Sequence, residues 1–181
     1  RSKSPSEDGS EKEENKVPDD IDKKVFADDN HIYFRAGVNA KSIDKLIEII
    51  NTKNDEYLEL TKDKLLKKCE PGTLYLHITS FGGSVLAAFR AIDCIKSSKL
   101  PIYTIVDGYA ASASSMIAVV GKKKYMTPSS YVLIHELSTW FGGKYSELKD
   151  DMKNAKRMMD DIERLYLDNT KISRRKFKEC R

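Results

Sequence analysis

Twice in this chain a short apolar run gives way, across a turn of small residues, to a segment with helical character. Leu74, Leu76 and Ile78 alternate with Tyr75, His77 and Thr79 up to Gly82-Gly83, and Val85, Leu86, Phe89, Ile92 and Ile95 follow. Pro101 ends that helical segment. Ile102, Tyr103, Thr104, Ile105 and Val106 then make a second strand, followed by the Ala/Ser-rich stretch 110–120 with Gly121 as its stop. Strands separated by helices cannot pair through tight hairpins, so they run mainly parallel with right-handed crossovers. The pattern specifies an α/β fold. His31–Arg35 reads as a first short strand, and Ser42 precedes a helix whose apolar face is Ile43, Leu46, Ile47 and Ile50. The charged stretch 51–68 either extends that helix or breaks at Asn54-Asp55 and resumes, with Pro71-Gly72 closing it. Tyr131, Val132, Leu133 and Ile134 form a further strand that ends at His135. Tyr145, Leu148, Met152, Ala155, Met159, Ile162 and Tyr166 make the most regular helical stripe in the chain.

Composition narrows the function classes. The 181 residues suffice for one domain with a real core, and 40% hydrophobic against 33% charged content points to a soluble globular protein. No apolar run approaches the roughly 18 residues of a spanning helix, and no secretory signal is visible, so neither a membrane role nor export is expected. Residues 1–22, with four basic and eight acidic side chains and few large apolar ones, are expected to be disordered, leaving a domain over 23–181. Cys69, Cys94 and Cys180 are odd in number and lack any CxxC spacing, which suits a reducing, cytoplasmic setting. His31, His77 and His135 are too scattered to suggest a metal. The six basic residues of 171–181 could serve a nucleic-acid tail. No aromatic stacking set accompanies them, so a solvated terminal helix is favoured and no nucleic-acid partner is expected.

Two turns can carry chemistry. Gly82-Gly83, between strand and helix, lets a backbone approach closely and leaves amide N–H groups outward, although many such turns bind nothing. It fits neither phosphate-loop pattern. The second turn is Asp107-Gly108-Tyr109-Ala110-Ala111-Ser112-Ala113-Ser114-Ser115. A serine beginning a helix after a buried strand lies where negative charge is stabilised. Alone, Ala-Ala-Ser reads equally as close packing of a helix on a sheet. His135 at a strand end adds a group that could act as general base to such a serine. His77, mid-strand, reads as half-buried packing, and His31 as exposed.

Together these stretches resemble the proteolytic subunit of the ATP-dependent Clp protease. Residues 76–85, ending in Ser80-Phe81-Gly82-Gly83, are similar to that family's strand closing on Ser-Pro-Gly-Gly. Gly108-Tyr109-Ala110-Ala111-Ser112 resembles its Gly-x-Ala-Ala-Ser motif, and 128–135 its Pro-Asn-Ser-x-x-Met-Ile-His motif. Three motifs in register carry the resemblance, which runs from about His31 to the C-terminus. It implies a fold of the Clp protease and crotonase type, with a mainly parallel sheet, crossover helices and a protruding handle helix at 145–166. It implies Ser112 as nucleophile, His135 as base, and the backbone N–H groups of Gly83 and Ala113 as an oxyanion hole. Such donors are each worth about 3 kcal/mol of transition-state stabilisation. Polypeptide substrates, a homo-oligomeric ring, an ATP-dependent unfoldase and a subunit without metal or cofactor follow from the same resemblance.

Five departures accompany it. Phe81 stands in place of proline, Ala113 in place of methionine, and 51–68 is longer than the matching segment. The run Ser112-Ala113-Ser114-Ser115 is closer to the related phage prohead proteases, keeping Ser114 and Ser115 as rivals to Ser112. The family's third triad member, an Asp, falls in register just past Arg181, so the domain reads as truncated. Loss of an orienting Asp can cost about 10⁴ in kcat. Asp150, Asp151, Asp160 and Asp161 read as poorly placed to replace it. Two other classes remain: a catalytically silent Clp-like assembly subunit, and a crotonase-like acyl-CoA enzyme.

Overall fold

The computed structural model describes residues 24–61, 72–139 and 142–180. The segment 1–22, expected to be disordered, Cys69 and Pro71 lie outside these. Six strands form one sheet: β1 (Lys24–Asp28), β2 (His31–Arg35), β3 (Leu74–Ser80), β4 (Ile102–Ala111), β5 (Lys123–Met126) and β6 (Tyr131–Leu133). The helices are α1 (Ala40–Leu60), α2 (Val85–Ser97), α3 (Ala113–Ala118), α4 (Tyr145–Asn169) and α5 (Arg174–Glu179). The spatial order is β1-β2-β3-β4-β5, with β6 also on β4. Every pairing is parallel except the β1–β2 hairpin. The expected α/β fold with a mainly parallel sheet and crossover helices is therefore what forms.

Alternation sets the core. Leu74, Leu76, Ile78 and Ser80 of β3 are buried while Tyr75, His77 and Thr79 are half-buried, the period-two pattern of a pleated strand. Ile102, Thr104 and Val106 continue the buried face on β4. Ile43, Leu46 and Ile50 of α1 and Ala87, Ala88, Ala91, Ile92 and Ile95 of α2 complete one cluster with them. The small alanines let α2 sit close to α3.

Several boundaries differ from the sequence reading. Asn39 rather than Ser42 caps α1: Ser42 N–H donates to Asn39 Oδ1 at 3.0 Å and Asn39 N–H to Ser42 Oγ at 3.1 Å, a closed capping box. The helix does not break at Asn54-Asp55 but continues to Leu60. Ala110 and Ala111 belong to β4, so α3 starts three residues later than expected. Only Ile162 and Tyr166 of the regular α4 stripe are buried, whereas Tyr145 is 83% and Met152 67% exposed. No helix among the described residues is long and apolar enough to cross a membrane.

Candidate active site

Strand β4 does not end cleanly. Ile78 pairs with Val106 and Ser80 with Ala110, so two residues of β3 face four of β4. The bulge is turned at Gly108, φ +104°, and it re-aims the strand end toward α3. Its last residues then pair with β6, Ala111 opposite Leu133. Ser112 N–H donates to Leu133 O at 2.9 Å, fixing the first residue beyond the strand.

Ser112 adopts φ 55°, ψ −128° at the N-cap of α3. For a residue with a Cβ this conformation costs about 1–3 kcal/mol and persists only where neighbours over-determine it. The carbonyl end is held as well as the amide: Ser115 Oγ donates to Ser112 O at 2.6 Å and Ser115 N–H at 3.0 Å. The neighbouring serines differ sharply from Ser112. Ser114 and Ser115 are fully buried. Ser114 Oγ lies 2.7 Å from both Ser80 O and Ala111 O, and Ser115 Oγ also meets Tyr166 OH at 2.5 Å.

The glycine pair is built against this turn. A Cβ on Gly82, φ +91°, would stand 2.4 Å from Ala111 O and 2.8 Å from Ser112 Cβ, so only glycine allows the two turns to touch. Gly83 bridges to Val38, with Val38 N–H donating to Gly82 O and Ser84 N–H to Val38 O, both at 2.7 Å. Because the Gly82–Gly83 peptide is trans, the Gly83 N–H points away from Val38. Among the described residues neither the Gly83 nor the Ala113 N–H has an acceptor.

The four residues singled out from the sequence line a single cavity of about 430 Å³. Ser112, Ala113, Gly83 and His135 all belong to its lining. Met116, Met158 and Ile162 give it an apolar wall from α3 and α4. His135 is exposed, and its Nδ1 lies 2.6 Å from Glu136 O. A carbonyl only accepts, so Nδ1 carries the proton in that contact and Nε2 is left as the basic nitrogen of the neutral ring. Ser112 and His135 thus share a cavity without a hydrogen bond between them. Of the four helix carboxylates set aside from the sequence, Asp151 does reach the cavity wall. Tyr166, invisible as a polar partner in an apolar stripe, also lines it.

Residues 37–180 match the family model described as Clp protease. The chain belongs to the Clp protease family. Among Clp protease relatives, the ATP-dependent Clp protease proteolytic subunit 1 of Chlamydia abortus is 33% identical over 170 residues, 89% of this chain and 79% of that one. The Chlamydia caviae subunit 1 is 33% identical over 167 residues, 87% and 78% of the two chains. Subunit 2 of Treponema denticola is 32% identical over 105 residues, where the match spans 57% of this chain and about half, 52%, of the relative. The family match covers every element of the cavity.

A second cluster lies on the outer face of the sheet. Tyr33 and His77 stack at 4.7 Å between ring centroids and His31 and Tyr75 at 4.9 Å, while the Arg35 guanidinium sits 5.0 Å over Tyr33. His31 Nδ1 and His77 Nε2 are 2.9 Å apart. His77 Nδ1 is buried without a hydrogen-bond partner, with Asp107 Oδ2 at 3.9 Å. Burial chiefly, and then the charges of His31 and Arg35, hold the His77 pKa below 6.5 against the pull of Asp107. The expectation of half-buried packing for His77 and exposure for His31 holds.

Proposed function

We propose that the chain is a serine endopeptidase subunit of the Clp type, hydrolysing peptide bonds through an acyl-enzyme on Ser112. His135 Nε2 takes the Ser112 Oγ proton as the oxygen attacks the peptide carbonyl carbon. The imidazolium then returns that proton to the leaving amine, and water repeats the sequence to free Ser112. Gly83 and Ala113 N–H groups receive the oxyanion. No metal or cofactor enters these steps. Polypeptides are the substrates, the subunits form a homo-oligomeric ring, and the relatives' names, which read ATP-dependent, support an unfoldase as partner.

One observation carries the reading. Of three serines in the motif, Ser112 alone lines the cavity with His135, on a strained backbone that two elements hold, while Ser114 and Ser115 are buried and donate to carbonyls. The test is labelling by a fluorophosphonate followed by peptide mapping. Label on Ser112, lost in Ser112→Ala and in His135→Ala, is expected. Label on another residue, or none, ends the proposal.

A silent assembly subunit is the second reading. The lack of a hydrogen bond from His135 Nε2 to Ser112 Oγ among the described residues favours it. Assembly with neither labelling nor peptide hydrolysis would select it over the first.

A further inference from the structure

We propose that Tyr166 and Ser115 are positioning residues, a buried phenol-to-hydroxyl relay that fixes the plane of the Ser112–Ala113 peptide. The inference rests on Ser112 being the nucleophile. Its argument is one of proton count. Ser112 O is a carbonyl and can only accept, so the single Ser115 Oγ proton is committed to it at 2.6 Å. The Tyr166 O–H, 2.5 Å from the same Oγ, must then be the donor of that pair. The order is fixed as Tyr166 O–H to Ser115 O–H to Ser112 O=C.

Both relay residues are shut away from water, Ser115 fully and Tyr166 at 2% exposure. Burial pushes the Tyr166 pKa up to about 12, which keeps the phenol a donor at any pH where a histidine can act as base. Ser112 O and Ala113 N–H belong to one rigid trans peptide, so the bond that holds the carbonyl also aims the amide on the opposite side. A donor on the carbonyl further polarises that N–H. The relay thus acts on both the strained nucleophile and one oxyanion donor through hydrogen bonds made inside the protein. It also ties α4, through Tyr166, to the start of α3.

The experiment uses the full chain with Ser115→Ala, Tyr166→Phe and the double variant. It measures the rate of fluorophosphonate labelling at Ser112, kcat and KM for a fluorogenic peptide, and Tm. Ser115→Ala is expected to label about tenfold more slowly and Tyr166→Phe about threefold, with KM changed by no more than about twofold. Because Tyr166 acts only through Ser115, the double variant should label at the Ser115→Ala rate. Its Tm should exceed that of Ser115→Ala, since the orphaned phenol O–H is gone. Wild-type labelling rates in both single variants would overturn the relay. So would a double variant slowed by the product of the two, or a loss of labelling that merely tracks the unfolded fraction. Where Ser115→Ala does not fold, the Tyr166→Phe rate decides alone. Absence of label on wild-type Ser112 instead overturns the underlying assignment of the nucleophile.

Discussion

At Gly82 a single methyl group separates a working turn from a broken one. Its Cβ would meet Ala111 O at 2.4 Å and Ala113 N at 3.0 Å, all backbone that cannot swing aside. Gly82→Ala should destabilise the fold by about 1–3 kcal/mol or more in urea unfolding, and should slow labelling of Ser112 by spreading the two turns. At Gly37 the nearest atom to an added Cβ is 3.8 Å away, so Gly37→Ala should leave stability unchanged within about 1 kcal/mol. Equal losses at the two positions would refute this account. The sequence alone marks Gly82-Gly83 as a place of close approach, but which backbone approaches depends on the bulge in β4. His77 makes a second case. Its folded pKa lies below the 6.5 of the unfolded chain, so the unfolded state binds more protons as pH falls. Stability should be full above about pH 6.5 and decline below it, and His77→Phe should flatten the Tm profile between pH 7.5 and 5.5. The groups facing the ring, His31, Arg35 and Asp107, remain in that variant. An unchanged slope would exclude His77 as the source.

Elements were legible in proportion to how strongly burial imposes a period. The strands β3 and β4 and the helix α2 stood out because one face of each is buried and regular. The strands β1 and β5, Lys-Val-Phe-Ala-Asp and Lys-Lys-Tyr-Met, gave no such signal, since both lie at sheet edges and are almost wholly exposed. Asn54 explains why α1 continues through a pair of residues that favour breaks. It is 8% exposed, and its Oδ1 accepts from Leu100 N–H at 3.0 Å and Ser98 Oγ at 3.1 Å, capping the chain that leaves α2. That partner is 46 residues away, which no local rule anticipates. Asn54→Ala should cost about 1–3 kcal/mol by stranding the buried Leu100 N–H, measurable as a lower urea midpoint at unchanged m-value. A neutral result would mean that water reaches Leu100. The catalytic candidates lay within legible elements or their ends. Tyr166 did not reveal its role, because its ring obeys the apolar stripe while its hydroxyl bonds across to another helix.

At the scale of the molecule, two groups of bare apolar side chains among the described residues lie away from the cavity and from the end of α1, where Phe81, Leu86, Leu58 and Leu60 are also exposed. Tyr131, Val132 and Leu133 of β6 are 75%, 42% and 56% exposed, with Tyr125 and Met126 beside them on β5. Tyr145 and Met152 occupy the first half of α4, whose last turns alone join the core. On the proposal that the subunits form a ring, two patches on different elements suit two kinds of contact, one closing the ring and one pairing it with a second through α4. The β6 patch is coupled to the cavity, for Ser112 N–H hangs on Leu133 O and His135 follows two residues later. Covering β6 would restrain His135 as well as bury the strand. Leu133→Lys should therefore yield subunits of single-chain mass by sedimentation and lose Ser112 labelling together with assembly. Met152→Glu should halve the mass of the assembly and leave rings. If both variants sediment as the wild type does, neither patch is an interface; if Leu133→Lys dissociates yet labels at full rate, assembly and the His135 geometry are independent.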